Sequence, residues 1–132
     1  SIQSFSGGTE ATAFNKNAID AMERAGFQIT MTHKGNNPIY EAMYSKNSET
    51  HKMWSKKFDD SLNPSENFAA VMVCSDADQN CPFVPGATRI SMPFDDPKAF
   101  DGTNIESAKY DERCNQIAIE ILYVMHQVKI TK

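Results

Sequence analysis

This sequence has no apolar run near the ~20 residues that a membrane-spanning helix needs. It also has no cluster of lysine and arginine. Thirteen basic residues stand against seventeen acidic ones, for a net charge of −4. That balance suits neither nucleic acid nor an anionic membrane, so neither is expected as a partner. Cysteine is scarce and odd in number, at three, which does not fit the paired framework of a small secreted domain. No signal-peptide pattern opens the sequence, so a cytoplasmic location is expected, where thiols stay reduced unless they are catalytic or redox-sensing. Internal repeats and low-complexity segments are missing as well.

What is present is ordinary globular material. The 132 residues are 40% hydrophobic and 23% charged, which argues against disorder and fits one domain over 1–132. "SIQSF" at the start reads as a short strand. From Asn15 to Ala25, Ala18, Ile19, Met22 and Ala25 recur at helical spacing. Asn15 is placed to cap that helix and Gly26 to end it. "FQITMTH" alternates Phe27, Ile29 and Met31 as a strand does. Strand, helix and strand within about 30 residues predict a βαβ unit and a parallel sheet.

The middle breaks that rhythm. "PIYEAMYS" and "HKMWSKKF" read as a hairpin or extended excursion around "KNSET", followed by the turn-rich "DDSLNPSEN". "FAAVMVC" is a continuous apolar run of the kind expected for a strand buried on both faces. "TRISMPF" is predicted as another strand. Thr103 and Glu106 have capping-box spacing before a long helix. Tyr110, Cys114, Ile117, Ile121, Leu122 and Met125 should form the buried stripe of that helix. The class is α/β.

The chemistry gathers at "VCSDADQNCP" and "FDDP". In an open parallel sheet, ligands bind beyond the carboxyl ends of the strands. Cys74 and the Phe94–Pro97 segment each end a predicted strand, so both should reach one edge. Cys74, Asp76, Asp78 and Cys81 make a poor zinc set, because the spacing is C-x6-C and no histidine completes it. They also fail as a calcium loop: Asp76, Asp78 and Asn80 fit the first positions, but Cys81 stands where glycine is required and Ala87 where glutamate is. Two readings of the cysteines stay open. Either Cys74 and Cys81 are a redox pair, or Cys74 is a core thiol and Cys81 a neighbour without function. Asp95 and Asp96 read first as a turn, with a general acid as the functional alternative. His33, His51 and His126 lie in separate elements and read as surface residues. Cys114 reads as core, and Trp54 as a ring over the core edge.

Taken together, "VMVCSDADQNCPFVPGA", "PFDDP", "FSGGTEATAFNKNAIDAMERAGFQI" and "YDERCNQIAIEIL" resemble the thioredoxin-coupled arsenate reductases, which share the low-molecular-weight protein tyrosine phosphatase fold. The resemblance spans most of the chain outside a strand-rich insertion at about 36–67. It implies a three-layer, flavodoxin-like parallel sheet with helices on both faces. It further implies that Cys74 attacks a thiol–arsenic adduct, that Cys81 then attacks Cys74, and that a thioredoxin-like reductant reopens the disulfide with no bound cofactor or metal. Asp96, directly before Pro97, matches the family's general acid.

The sequence departs from the family in two respects, the smaller being Lys16 after Asn15, where the family usually has proline. The family's first strand and helix, with the C-x5-R loop that holds the oxyanion and the first nucleophile, should precede Ser1. No C-x5-R spacing occurs in these residues. The expectation is therefore an N-terminally incomplete domain that is inactive by itself, takes its oxyanion substrate only if the loop is supplied, and compensates by homodimerising or altering its sheet. The alternatives are a phosphatase-related protein or a non-catalytic redox-responsive or binding remnant. Cys81 argues against a phosphatase, which has no use for a relay dithiol.

Overall fold

A computed structural model describes residues 2–74 and 81–130. Its elements are α1 (Lys16–Arg24), β1 (Gln28–His33), β2 (Ile39–Met43), β3 (His51–Met53), β4 (Phe68–Met72), β5 (Ala87–Ser91), a 3-10 turn (Pro97–Phe100) and α2 (Glu106–Ile130). The chain is α/β, and its described strands lie in two separate sheets.

α1 forms where the apolar spacing predicts it. Asn15 caps it, its side chain accepting a hydrogen bond from Asn17 N–H at 2.8 Å, and Gly26 follows at φ 104°. That left-handed backbone is one that only glycine adopts at little cost, which is why the helix stops there. Ile19 and Ala21 are its buried residues. The helix packs against α2, where Arg24 also pairs with Asp111 at 2.7 Å. Both partners of that ion pair are about half exposed, so it adds at most about 1 kcal/mol.

The expected βαβ unit does not form, because β1 takes the next strand as its neighbour. Only residues 34–38 separate β1 from β2, and so short a link returns the chain antiparallel, whereas a parallel crossover needs a dozen residues or more. β3 adds to the other side of β2, giving the antiparallel order β1-β2-β3 with a register shift between Met31 and His33. The predicted hairpin is thus present, and it carries β1 with it. Ala42 of β2 is buried.

"SIQSF" forms no strand among the described residues. The chain instead makes one parallel bridge, Gly8 to Lys57, in which Gly8 N–H donates to Lys56 C=O and Phe58 N–H to Gly8 C=O, both at 2.9 Å. Gly7 is needed for this approach, since a Cβ there would lie 2.4 Å from the Phe58 Cα. Lys56 Nζ donates to the Ser6 carbonyl, as does Asn63 Nδ2 at 3.2 Å, and the Lys56 ammonium lies 5.0 Å over the Trp54 ring.

β4 and β5 pair in parallel, Phe68 opposite Ala87 through Met72 opposite Ser91. β4 is not buried on both faces as the apolar run predicts. Met72 is buried, while Val71 is 37% and Val73 53% exposed. Burial on both faces requires a layer on each side, and among the described residues this sheet has only two strands. The flavodoxin-like three-layer sheet is likewise not seen among them. α2 packs against α1 and the 3-10 turn. Its capping box is displaced: Glu106 accepts from Gly102 N–H at 2.6 Å, and the Thr103 hydroxyl donates to the Phe100 carbonyl at 2.7 Å. The Asn104–Ile105 turn pushes the helix start to Glu106, too late for Thr103 to cap it. No described helix is long and apolar enough to cross a membrane.

Candidate active site

The β4–β5 ladder continues past both strands. Met92 N–H donates to the Met72 carbonyl at 2.9 Å, and Phe94 N–H to the Val73 carbonyl at 3.0 Å. Those two bonds bring Cys74 and the Phe94–Asp95–Asp96 segment to the same sheet edge, as the sequence order implies for parallel neighbours. Cys81 lies at that edge as well. The two cysteines are joined by a disulfide, with their Cα atoms 5.8 Å apart and both residues half-buried. That separation lies in the ordinary range for a bridge. Asp76 and Asp78, the other members of the metal reading, lie outside the described residues. Among the described residues, no three of His, Cys, Asp and Glu are grouped as a metal would require. Cys114 is a half-buried free thiol on α2.

Asp96 occupies the position before the 3-10 turn, and its carboxylate accepts a hydrogen bond from Lys98 N–H at 2.9 Å. Both open readings of this residue therefore survive in one geometry: it caps a turn, and it remains exposed at the edge that carries the disulfide. Asp95 is fully exposed and lies 3.9 Å from the Arg113 guanidinium of α2. Together with Phe94, Gln116, Ile119 and Glu120 these two line a cleft of about 460 Å³. Arg113 donates to the Gln116 side chain, but its Nε is buried without a partner among the described residues. The three histidines are all exposed, as expected of surface residues.

The 3-10 turn is held from behind. Asp101 N–H donates to the Lys98 carbonyl at 3.1 Å, closing the turn. The Asp101 carboxylate accepts from the buried Tyr110 hydroxyl at 2.8 Å and from Asn17 Nδ2 at 3.4 Å. Asn15 Nδ2 donates to the same Tyr110 oxygen at 3.2 Å, so one asparagine both caps α1 and reaches α2. Burial, and next the bond to Asp101, hold the Tyr110 phenol above its ordinary value of 10.0.

Two roles are not marked by any spacing in the sequence. Arg89 of β5 donates from Nη2 to the Cys81 sulfur at 3.6 Å. Tyr110 is more than a member of an apolar stripe, since its hydroxyl ties three elements together. A signal for Arg89 exists in principle. If Cys81 meets Cys74 at one end of β4 and β5 starts opposite Phe68 at the other, residues 82–86 must run back along the sheet. A long side chain in mid-β5 is then within reach of the bridge.

No protein-family model matches the chain, and no solved structure matches it. The sequence is 35% identical over 96 residues to arsenate reductase 2 of Staphylococcus haemolyticus (strain JCSC1435). The match takes in 72% of this chain and 56% of that protein, so the chain spans little more than half the length of its curated relative. The partial match supports an arsenate reductase-related family.

Proposed function

We propose that this chain carries the dithiol half of an arsenate reductase relay. The observation that carries the reading is the Cys74–Cys81 disulfide, formed across a loop that begins at the carboxyl end of β4. In the relay, a first thiolate bonds to arsenate. The Cys74 thiolate then attacks that sulfur, forming a disulfide and releasing arsenite. Cys81 attacks Cys74, freeing the first thiol and leaving Cys74–Cys81 oxidised. Two thiolates thus supply the two electrons that take arsenic from the pentavalent to the trivalent state. A thioredoxin-like reductant returns them, and no bound cofactor takes part. Asp96 protonates the departing oxygen as general acid.

Support comes from the placement of Asp96 beside the disulfide edge and from the likeness to an arsenate reductase. These 132 residues contain no C-x5-R spacing, so the first thiolate and its oxyanion loop have no counterpart in them. Taken by themselves they perform the later exchange and not the first attack. β4 and β5 are read as the parallel pair of a flavodoxin-like sheet. Homodimerisation of the isolated chain is expected to show as a doubled mass in light scattering.

The test is single-turnover reduction. Oxidised chain mixed with reduced thioredoxin should consume one dithiol per protein, and peptide mapping should show Cys74 and Cys81 released together. A chain in which these two never pair, or whose bridge resists thioredoxin, would refute the relay. With arsenate and thioredoxin but no added C-x5-R segment, no arsenite should form.

A further inference from the structure

We infer that Arg89 is a catalytic residue of the dithiol exchange, its guanidinium holding Cys81 as the thiolate that attacks Cys74. The inference rests on the relay proposed above and adds to it the group that selects the attacking sulfur. Arg89 stands in the middle of β5, opposite Ala70 of β4, and its Nη2 donates to the Cys81 sulfur at 3.6 Å. The strand ladder fixes the backbone from which that side chain extends. A disulfide sulfur is a weak acceptor. The same N–H facing a thiolate makes a charge-assisted bond, so the contact strengthens when the bridge opens. Cationic neighbours are what raise the thiolate fraction of a reactive cysteine.

Other charges near this edge are accounted for in part by their own partners. Asp96 is tied to Lys98 N–H, and Asp95 lies 3.9 Å from Arg113. Asp76 and Asp78, between the two cysteines in sequence, lie outside the described residues. Among the described residues, Arg89 is the charged side chain within hydrogen-bonding reach of Cys81.

The step can be followed with oxidised glutathione as the oxidant. The Cys74 thiolate displaces one glutathione thiolate and forms a mixed disulfide. The Cys81 thiolate then attacks the Cys74 sulfur, which makes the Cys74–Cys81 bond, breaks the bond to glutathione and releases the second glutathione thiolate. Two protein thiolates are oxidised and one glutathione disulfide is reduced.

The test uses the full chain with Cys74→Ser and Cys114→Ser, leaving Cys81 as its single thiol, and measures iodoacetamide alkylation against pH. Arg89→Met should raise the midpoint of that profile by about one pH unit, since a charge at about 4 Å in water-accessible surroundings changes a thiolate population roughly five- to tenfold. Arg89→Lys should restore most of the shift. In the chain with all three cysteines, Arg89→Met should slow closure of the glutathione mixed disulfide at pH 7 by about threefold or more, because exchange follows the thiolate fraction and is offset in part by lower nucleophilicity. An unchanged midpoint in Arg89→Met, with Cys74–Cys81 still forming from oxidised glutathione, overturns the role of Arg89 alone. Failure of the unaltered chain to form that bond overturns the relay itself.

Discussion

Tyr110→Phe isolates what the hydroxyl between α1, α2 and the 3-10 turn contributes. Tyr110 is 5% exposed, and phenylalanine keeps the buried ring while deleting one oxygen. That oxygen donates to the Asp101 carboxylate at 2.8 Å and accepts from Asn15 Nδ2 at 3.2 Å. A hydrogen bond to a charged group contributes about 1.5–3 kcal/mol when buried, and a neutral one about 1 kcal/mol. Asp101 and Asn15 both reach solvent and regain water when the oxygen goes, so the expected loss lies at the low end, about 1–2 kcal/mol. For a chain of this size that lowers the melting temperature by roughly 3–8 °C. The assay is urea unfolding at pH 7, in which the midpoint should fall while the slope stays constant. The pH dependence gives a second reading. The phenol is held above 10.0 in the folded state by burial and by Asp101, so its stabilisation is fully present below pH 10 and is lost as pH rises through the raised value. Phenylalanine has no such loss, so the advantage of tyrosine should be constant from pH 7 to about 9.5 and shrink above about pH 10. A difference under about 0.3 kcal/mol at pH 7, or one that does not narrow by about pH 11, would refute the account of this network.

Three further outcomes are expected. Gly7→Ala sets a Cβ 2.4 Å from the Phe58 backbone and should cost about 1–3 kcal/mol, exposing the Gly8 and Phe58 amides to hydrogen exchange, whereas Gly8→Ala meets nothing nearer than 3.6 Å and should keep the bridge. Lys56 is buried, and burial lowers its ammonium below 10.5 against an opposing pull from Asp60. The unfolded chain therefore binds more protons in the window just below 10.5, and stability should climb as pH rises towards 10.5, a climb that Lys56→Met removes in urea unfolding. Asp96→Asn keeps an oxygen for Lys98 N–H and should change thermal stability by only a few tenths of a kcal/mol, while Asp96→Ala costs about 1 kcal/mol. In a form of the protein that turns over arsenate, both substitutions should lower the rate by about 10²-fold or more, and an Asp96→Asn rate equal to that of the unaltered protein would remove the general acid from the mechanism.

The parts of the fold that are legible in the sequence are those set by short-range chemistry. Asn15, Gly26 and the spacing of Ile19 and Met22 define α1 almost to the residue, because capping and helical period are local properties. The meeting of Cys74 with Phe94–Asp96 is also legible, since it needs only that two neighbouring strands run parallel. What fails depends on partners. The pattern joins β1 to α1 as half of a parallel unit, but five residues later β2 offers an antiparallel edge, and the nearer partner prevails. The Asp96 readings do not separate, because a carboxylate that caps a turn and one that donates a proton share the same Asp-Pro signature.

α2 shows the same limit most clearly. A period of 3.6 locates a buried face only when the other faces are polar. Up to Cys114 that condition holds, and Tyr110 is buried as the stripe requires, with α1 packed against the helix. Beyond it the sequence is "NQIAIEILYVMHQV", apolar on almost every side. Ile117, Leu122 and Met125 of the predicted stripe are 37%, 72% and 40% exposed, and Ile119 and Tyr123, off the stripe, are 58% and 62% exposed. A helix segment with apolar residues all round carries no periodic signal for which side its neighbour takes. Its pattern marks no single face for burial and leaves the direction to whichever elements pack against it.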